Sequence, residues 1–228
     1  MRKTAVFTLL LTLGLGLSAC AEMRQDPGLV AKNLIIQAAE TVERFKTVPE
    51  LKQFAKYIPG ARAVVVLPRV IKAGFIAGGE GGNGVLIARD AKGKWGYPAF
   101  YTMGAASFGF QAGFQDTEII LVIRSEQALR AVLENQGKLG ADAGITVGFA
   151  GAGVEASTTS NLGADVMAFS NSRLGVFGGA SLEGAVLARR RDLNEAFYGK
   201  GATPRGIVLA GKFSNPKAAP LRTALSKR

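Results

Sequence analysis

The sequence predicts an α+β fold with a mainly antiparallel, strongly curved or barrel-like sheet, N-terminal amphipathic helices and short additional helices. Apolar residues recur at helical spacing near the N-terminus and then give way to runs of strand length. Thirty of the 228 residues are glycine. Many fall inside the strand-like runs, where strong bending or close backbone approach would need them. No Pro- or Ser-rich linker divides the chain, so we expect one domain with its own core.

The first residues have the pattern of an export signal. A cationic start precedes an apolar segment over residues 5–17, which is shorter than the roughly twenty residues that span a membrane. The segment ends in Leu17-Ser18-Ala19-Cys20, which resembles the lipobox of bacterial lipoproteins, whose cysteine becomes the acylated N-terminus. Cys20 is the only cysteine of the chain, so no disulfide framework explains it.

Acyl chains on Cys20 would anchor the mature protein, because each buried methylene contributes about 0.8 kcal/mol. Ala21 and Glu22 follow the cysteine, so no aspartate resembles an inner-membrane retention signal. The sequence therefore predicts a signal peptide over residues 1–19 and a lipidated tether over residues 20–30. We expect an exported protein that is lipid-anchored to the bacterial outer membrane and faces the periplasm.

Two amphipathic helices are predicted next. The first covers residues 27–46, with Pro27 in the first turn, and its apolar stripe is Val30, Leu34, Ala38, Val42 and Phe45. The second begins at Pro49 and ends at Pro59-Gly60, with Leu51, Phe54 and Ile58 on one face and Lys52 and Lys56 beside it. The apolar faces can pack on the protein's own core or face a membrane, and both alternatives stay open.

Apolar runs of strand length, bounded by glycine, proline or charged turns, dominate the rest of the chain. They cover residues 63–67, 74–77, 85–88, 118–123, 144–150, 153–159, 164–170 and 176–187. Ser125 is a candidate cap for a helix in which Leu129 and Leu133 point inward, and a last short helix is predicted over residues 192–198. The interior of a curved sheet could be filled by side chains or could admit an acyl chain.

The segment Gly79-x-Gly81-x-x-Gly84 has the spacing of a dinucleotide-binding fingerprint. In that fingerprint the glycines open a helix and an acidic residue follows about twenty positions on. Here Gly84 leads into the strand pattern Val85-Leu86-Ile87-Ala88, and no such acidic residue follows. The glycines are therefore predicted to form a hairpin turn, and we expect no bound nucleotide.

The composition argues against most catalytic chemistry. The chain has no histidine, and its single cysteine is expected to be acylated. Ser-His-Asp triads, Cys-His dyads and His-bearing zinc sites are therefore excluded. The protein is predicted not to be an enzyme, and no cofactor and no metal are expected.

Positive charge is concentrated at the C-terminal end. The formal net charge is +11, and residues 189–228 hold ten basic residues against two acidic ones, Asp192 and Glu195. In an exported protein such an end suits anionic phospholipid or another envelope polyanion better than nucleic acid. A solvated tail that aids solubility is the equal alternative.

Four segments, in order, resemble the successive blocks of the SYLF domain. They are VIKAGFIAGGEGGNGVLIARD, SFGFQAGFQDTEIILVIRSEQAL, KLGADAGITVGFAGAGVEAS and SRLGVFGGASLEGAVLARRRDLNEAFYG. The resemblance covers residues 31–199 and leaves residues 200–228 as a basic extension that packs on the domain or trails from it. Eukaryotic members carry the domain beside SH3 or FYVE modules and are associated with phosphoinositide binding and actin regulation. Bacterial members are typically exported lipoproteins.

The resemblance implies phospholipid binding in the envelope. Because the chain shows no SH3 or FYVE segment and a periplasm holds no actin, the actin and phosphoinositide roles are not expected here. The candidate lipid-binding residues are the cations Lys52, Lys56, Lys72, Arg189, Arg190 and Arg191 and the apolar Leu34, Phe45, Phe54 and Ile58. Each cation would contribute up to about 1 kcal/mol near an anionic surface.

Two alternatives accompany this prediction. The three arginines can instead form a solvated turn before the last short helix. The whole protein can instead be a membrane-tethered scaffold that binds a protein, peptidoglycan or lipopolysaccharide partner and has no lipid site of its own. The identity of a protein partner is not predicted.

Overall fold

A computed structural model describes residues 25–74, 77–108, 113–134, 147–151, 165–174 and 185–227. The helices are α1 (Pro27–Thr47), α2 (Gln53–Tyr57), α3 (Glu126–Glu134), α4 (Arg191–Tyr198), α5 (Pro204–Val208) and α6 (Ala219–Ser226), with a 3₁₀ turn at Pro216–Ala218. The strands are β1 (Ala63–Gly74), β2 (Ala77–Ala88), β3 (Ala99–Phe108), β4 (Gly113–Ile123), β5 (Val147–Gly151), β6 (Val166–Leu174) and β7 (Val186–Arg189). Cys20 and the predicted signal peptide lie outside the described residues.

The strands form one seven-stranded sheet in the order β5-β6-β4-β1-β2-β3-β7. All neighbours are antiparallel except β5 and β6, which are parallel. The α+β class and the mainly antiparallel pairing are therefore confirmed. In the described part of the chain no pairing joins the outer strands β5 and β7, so these strands form an open sheet and not a closed barrel.

The central strands are apolar on both faces, because helices cover both sides of the sheet. One core joins alternate residues of β1 and β4, such as Val64 and Ile120, to α1, α2, α4 and α6. A second core joins the intervening residues, such as Val65 and Leu121, to α3 and α5. Among the described residues, no helix is both long and apolar enough to cross a membrane.

Helix α1 forms as predicted. The Asp26 side chain accepts a 2.8 Å hydrogen bond from the Gly28 amide, and Pro27 occupies the first turn, where its missing N–H is not needed. The buried face of the helix holds Ala31, Leu34, Ile35, Ala38, Thr41, Val42 and Phe45. Helix α3 is also confirmed, because the Ala128 amide donates to Ser125 Oγ at 3.1 Å.

The second predicted helix is shorter than expected. Residues 49–52 form turns, and only Gln53–Tyr57 is helical. Its side chains still pack as the pattern indicated, since the Phe54 ring lies edge-on to Phe45 with 6.0 Å between ring centroids. Leu51, Phe54 and Ile58 are all buried, so core packing holds this segment although its helix is short.

The prediction of a hairpin turn at Gly79–Gly84 is wrong. These residues lie inside β2 and pair with β1 on one side and β3 on the other. Strand β1 shifts register between Val66 and Ile71, and its backbone approaches β2 closely there. A Cβ at Gly82 would lie 2.1 Å from the Arg69 carbonyl oxygen, so only glycine fits.

Other strand predictions are met in part. Residues 63–67, 85–88, 118–123, 147–150 and 166–170 lie in β1, β2, β4, β5 and β6. Of the run predicted over residues 74–77, Gly74 ends β1 and Ala77 begins β2, and residues 75–76 lie outside the described part of the chain. Strand β3 was not predicted, and residues 153–159, 144–146 and 176–184 lie outside the described part of the chain. The short helix predicted over residues 192–198 is α4.

The C-terminal segment packs on the rest of the domain. Leu221, Ala224 and Leu225 of α6 are buried in the same core as α1. The Lys46 ammonium of α1 donates to the carbonyl oxygens of Ala224, at 2.5 Å, and Lys227, at 2.6 Å. A cation at the C-terminal end of a helix complements its dipole, so this contact ties α6 to α1.

Candidate functional site

The predicted headgroup cations lie on three different parts of the structure. Lys52 and Lys56 are exposed at α2. Lys72 is half-buried in β1, where it pairs in register with Glu80 of β2 and Gln115 of β4. The three arginines lie where β7 meets α4, a region we call the junction (residues 189–195).

The predicted acyl-chain contacts are buried. Leu34, Phe45, Phe54 and Ile58 are all at most 7% exposed and belong to the core on the α1 side of the sheet. The core-packing alternative describes their environment in this structure. Contact between these four residues and an acyl chain stays a prediction, and it would require α1 or α2 to move away from the sheet.

A buried polar network holds α1 against the sheet. The Glu118 carboxylate of β4 is fully buried, and its Oε1 accepts from Thr41 Oγ1 at 3.0 Å and from Arg44 Nε at 3.3 Å. Asn171 of β6 donates to Oε2 at 2.8 Å. A buried carboxylate is tolerated when several donors satisfy it, and separating α1 from the sheet would remove two of these three donors.

The three junction arginines differ in their partners. Arg190 donates two hydrogen bonds to the Asp192 carboxylate, at 2.9 and 2.7 Å, and a third to Asn83 Oδ1 at 2.7 Å. Arg191 donates to Glu195 Oε1 at 3.1 Å, one helical turn on. The Arg189 side chain is exposed and makes no ion pair within the described residues.

Asn194 fixes the backbone of the junction. It is fully buried, and its side-chain amide pairs with both the N–H and the C=O of Phe100 in β3, each at 3.0 Å. The same amide nitrogen donates to the Arg190 carbonyl oxygen at 2.8 Å. The first turn of α4 is thereby attached to the sheet, which sets the directions in which the arginines leave the surface.

The electrostatics of the junction follow from these contacts. The hydrogen bond from Arg190 lowers the pKa of Asp192, and the same bond raises the pKa of Arg190. Hydrogen bonds from the Gly201 amide and from Arg191 lower the pKa of Glu195. Both carboxylates are therefore ionised at neutral pH and balance two of the three arginine charges.

The solvated-turn alternative is wrong in one respect. Arg190 is only 30% exposed at its side chain and has three hydrogen bonds to side-chain oxygens, so it is part of a fixed structure. Arg189 and Arg191 are solvent-exposed, as both alternatives require. Sequence reasoning missed Asn194 and Asn83, because their roles depend on contacts with distant strands.

Among the residues that the structure describes, no group of three or more Asp, Glu, Cys or His side chains could hold a metal ion. The carboxylates Asp192, Glu195 and Glu118 each face cationic or amide donors instead.

Comparisons with known proteins indicate the family. The model described as "Ysc84: Las17-binding protein actin regulator" matches residues 104–228. Protein YSC84 of Saccharomyces cerevisiae is 35% identical over 163 residues, which is 70% of this chain and 34% of that protein. LAS seventeen-binding protein 3 of the same yeast is 32% identical over the same share of this chain and 35% of its own length.

A vertebrate relative is similar over a longer stretch. SH3 domain-containing YSC84-like protein 1 of Xenopus laevis is 31% identical over 189 residues, which is 80% of this chain and 56% of that protein. The chain thus spans between about a third and somewhat over half of the length of these relatives.

Proposed function

Because the chain belongs to the Ysc84/SYLF family, we propose that it is a cell-envelope lipoprotein whose SYLF domain binds anionic phospholipid. In this proposal Cys20 carries the lipid anchor, the outer membrane holds the protein, and the domain faces the periplasm. The lipobox-like sequence at Cys20 supports the anchor, and the excess of basic residues supports an anionic ligand.

The observation that carries the proposal is the exposure of cations while the candidate apolar contacts are buried. Lys52, Lys56, Arg189 and Arg191 are exposed, whereas Phe45 and Phe54 are fully buried. First contact with a membrane would therefore be electrostatic, with each cation contributing up to about 1 kcal/mol near anionic lipid. Apolar contact with acyl chains, at the helices or in a pocket of the sheet, would follow this step.

The junction offers two cations for this contact. The Arg191 side chain is 78% exposed, and its ion pair with Glu195 is of the surface type that contributes about 0–1 kcal/mol. A lipid phosphate can replace Glu195 at low cost. Arg189 has no such competitor among the described residues, whereas Arg190 is retained by Asp192 and Asn83.

The test is flotation of residues 21–228, which lack the lipidated cysteine, with neutral and with anionic phospholipid vesicles at low and high salt. We expect binding to anionic vesicles that weakens at high salt, because headgroup attraction is screened within about 10 Å at 0.1 M salt. The double variant Arg189→Ser/Arg191→Ser should bind about tenfold more weakly.

The matched control is Arg130→Ser on α3, which removes an exposed arginine with a similar i,i+4 ion pair. The control removes one charge and the double variant removes two, so an equal loss of binding free energy per removed charge would show that only total charge matters. Absence of binding to any vesicle would contradict the proposal and leave the anchor as the sole membrane attachment.

The names of the relatives favour a second candidate, a membrane-tethered scaffold that binds a protein. LAS seventeen-binding protein 3 is named for the protein that it binds. For this chain the corresponding proposal is an envelope protein, peptidoglycan or lipopolysaccharide partner held by the same exposed cations. Failure of vesicle binding together with cross-linking of Arg189-proximal positions to one envelope component would favour this candidate.

A further inference from the structure

A groove of about 1370 Å³ lies between the C-terminal end of α1, the hairpin at residues 89–95 and α6. We call it the cationic groove, and its polar and aromatic lining includes Lys46, Arg89, Lys94, Trp95, Arg222 and Lys227. We propose that the cationic groove binds the phosphate group of an anionic phospholipid headgroup. This inference rests on the proposed phospholipid function and assigns it a second site, a groove apart from the junction.

The charges of the groove are not balanced. Among the described residues that line it, five are cationic and Glu43 is the single acidic one. Glu43 lies 3.4 Å from the Lys227 ammonium, so its charge is already engaged. The remaining cations, Lys46, Arg89, Lys94 and Arg222, leave the groove with a clear excess of positive charge that an anion would balance.

Arg89 and Arg222 differ from the other arginines in their partners. Arg89 donates to the carbonyl oxygens of Ala61, at 3.1 Å, Ile58, at 3.2 Å, and Gly93, at 2.6 Å. Arg222 donates through Nε to the Trp95 carbonyl oxygen at 3.0 Å. Within the described residues no carboxylate forms an ion pair with either of them.

Outside the groove, most arginines in the part of the chain that the structure describes form an ion pair with a carboxylate. Ion pairs are made by Arg44, Arg62, Arg69, Arg130, Arg190, Arg191 and Arg205. A carbonyl oxygen satisfies an N–H donor but does not neutralise the charge of the guanidinium. The arginines of the groove are therefore held in position with their charge uncompensated, which is the arrangement that a phosphate-binding site requires.

Aromatic rings hold both guanidinium groups in place. Arg89 lies over the Trp95 ring, 4.3 Å from its centroid, and Arg222 lies over the Tyr97 ring at 4.6 Å. Stacking and the backbone hydrogen bonds together limit rotation of these side chains, so less entropy is lost when a ligand binds. The terminal nitrogens of Arg222 make no hydrogen bond in the described part of the chain and can donate to phosphate oxygens.

Partial burial affects two of the groove cations, Arg89 and Lys46. Burial lowers the pKa of Arg89, and no charged partner contributes to that shift. Burial also lowers the pKa of Lys46, with a smaller opposing effect from Glu43 and a further lowering by Lys227. An anion in the groove would restore the interactions that these cations lost on leaving water.

The groove also has apolar walls, which favours a lipid over a free ion. Ile58, Pro59, Trp95 and Leu225 line it beside the cations. The indole N–H of Trp95 is buried and has no acceptor among the described residues. A phospholipid presents an anionic phosphate next to an apolar glycerol ester, so it matches both kinds of wall.

Trp95 is the only tryptophan of the chain, so its fluorescence reports on the groove directly. The experiment titrates residues 21–228 with dihexanoyl phosphatidylglycerol below its micellar concentration. Parallel titrations use dihexanoyl phosphatidylcholine and inorganic phosphate. We expect a saturable change with phosphatidylglycerol and apparent affinities about tenfold weaker for the other two.

Two variants test the cations. Arg222→Gln removes the guanidinium that stacks on Tyr97. Lys94→Ser removes an exposed ammonium that makes no hydrogen bond with any residue that the structure describes. Each should raise the dissociation constant for phosphatidylglycerol about fivefold or more. Lys94→Ser keeps the test valid if Arg222→Gln unfolds, and Arg130→Gln on α3 is the control that should leave the affinity unchanged.

Each result supports or overturns the inference. Absence of a saturable fluorescence change, or an unchanged affinity in both variants, would overturn it. An equal response to inorganic phosphate would assign the groove to free phosphate and overturn the lipid source.

Failure of this inference and failure of the proposed function are distinguishable. Vesicle flotation without a groove response would leave the proposed function standing and remove the groove. A groove response without flotation would support the groove and remove the membrane-surface contact.

Discussion

The junction and the cationic groove both concentrate arginines, but they differ in what stands opposite the charge. At the junction, Arg190 and Arg191 face the carboxylates of Asp192 and Glu195. In the groove, Arg89 and Arg222 face backbone carbonyls and aromatic rings. A run of three arginines is conspicuous in the sequence, yet most of its charge is balanced locally. The groove brings together cations from distant positions of the chain. Among the described residues, no carboxylate forms an ion pair with Arg89 or Arg222.

The contrast between the junction and the groove shows that the number of cations in a region does not measure how many of them are available to a ligand. Availability depends on the counter-charge, and the counter-charge depends on which elements the fold brings together. Three substitutions test this contrast, and their expected effects decrease in the order Asn194→Ala, Asp192→Asn and Glu43→Gln.

The largest effect is expected from Asn194→Ala, which removes the attachment between the junction and β3. The Phe100 N–H and C=O would lose their buried partner, so we expect a loss of about 2–4 kcal/mol in the free energy of unfolding. Urea denaturation measures it. Asn33→Ala, at an exposed position of α1, is the control and should change stability by less than about 0.5 kcal/mol.

A smaller effect is expected from Asp192→Asn, which would make the junction resemble the groove by leaving Arg190 uncompensated. Because the Asp192 side chain is 46% exposed and water can replace its charge, the loss of stability at neutral pH should be only about 0.5–1 kcal/mol. The variant should float with anionic vesicles at least as well as the parent protein.

The same variant tests the pH dependence. The pKa of Asp192 is lowered in the folded state, so its contribution to stability is present above the unfolded pKa, near 4, and is lost as pH falls through the folded pKa. Asp192→Asn should remove this part of the acid destabilisation. An identical acid profile in parent and variant would contradict the assigned role of Arg190.

The smallest effect on stability is expected from Glu43→Gln, which removes the single acidic residue among the described residues of the groove lining. The ion pair with Lys227 is exposed, so the free energy of unfolding should change by less than about 0.5 kcal/mol. Affinity for dihexanoyl phosphatidylglycerol should rise about threefold, measured by Trp95 fluorescence. Glu40→Gln, one turn earlier on α1 and outside the groove lining, should leave the affinity unchanged.

Local sequence signals predicted much of the fold. Asp26, Pro27 and the apolar stripe determine α1, and Ser125 determines the start of α3. The glycines of β2 were misassigned because the reason for them is not local. Their positions follow from the approach of the β1 backbone at Arg69, and nothing between Gly79 and Gly84 reveals that neighbour.

Of the two candidate sites, the junction could be predicted from the sequence and the cationic groove could not. The arginines at 189–191 are adjacent in the sequence and were found, although their carboxylate partners two and four residues on could also have been noticed. The groove was missed because Lys46, Arg89 and Arg222 are far apart in the chain. A weak local signal existed in the turn at Asp90–Gly93, which places Arg89 opposite Trp95.

The length of α1 has a consequence for where the groove can reach. Its 21 residues span about 30 Å, and the groove lies at its C-terminal end. In the proposed lipoprotein, the six residues between Cys20 and Pro27 extend at most about 25 Å. With the helix lying along the membrane, the groove would sample the leaflet that holds the anchor. With the helix perpendicular to the membrane, the groove would lie in the periplasm, away from that leaflet. The tilt of α1 would therefore decide whether the groove meets lipids of the anchoring leaflet or lipids outside it.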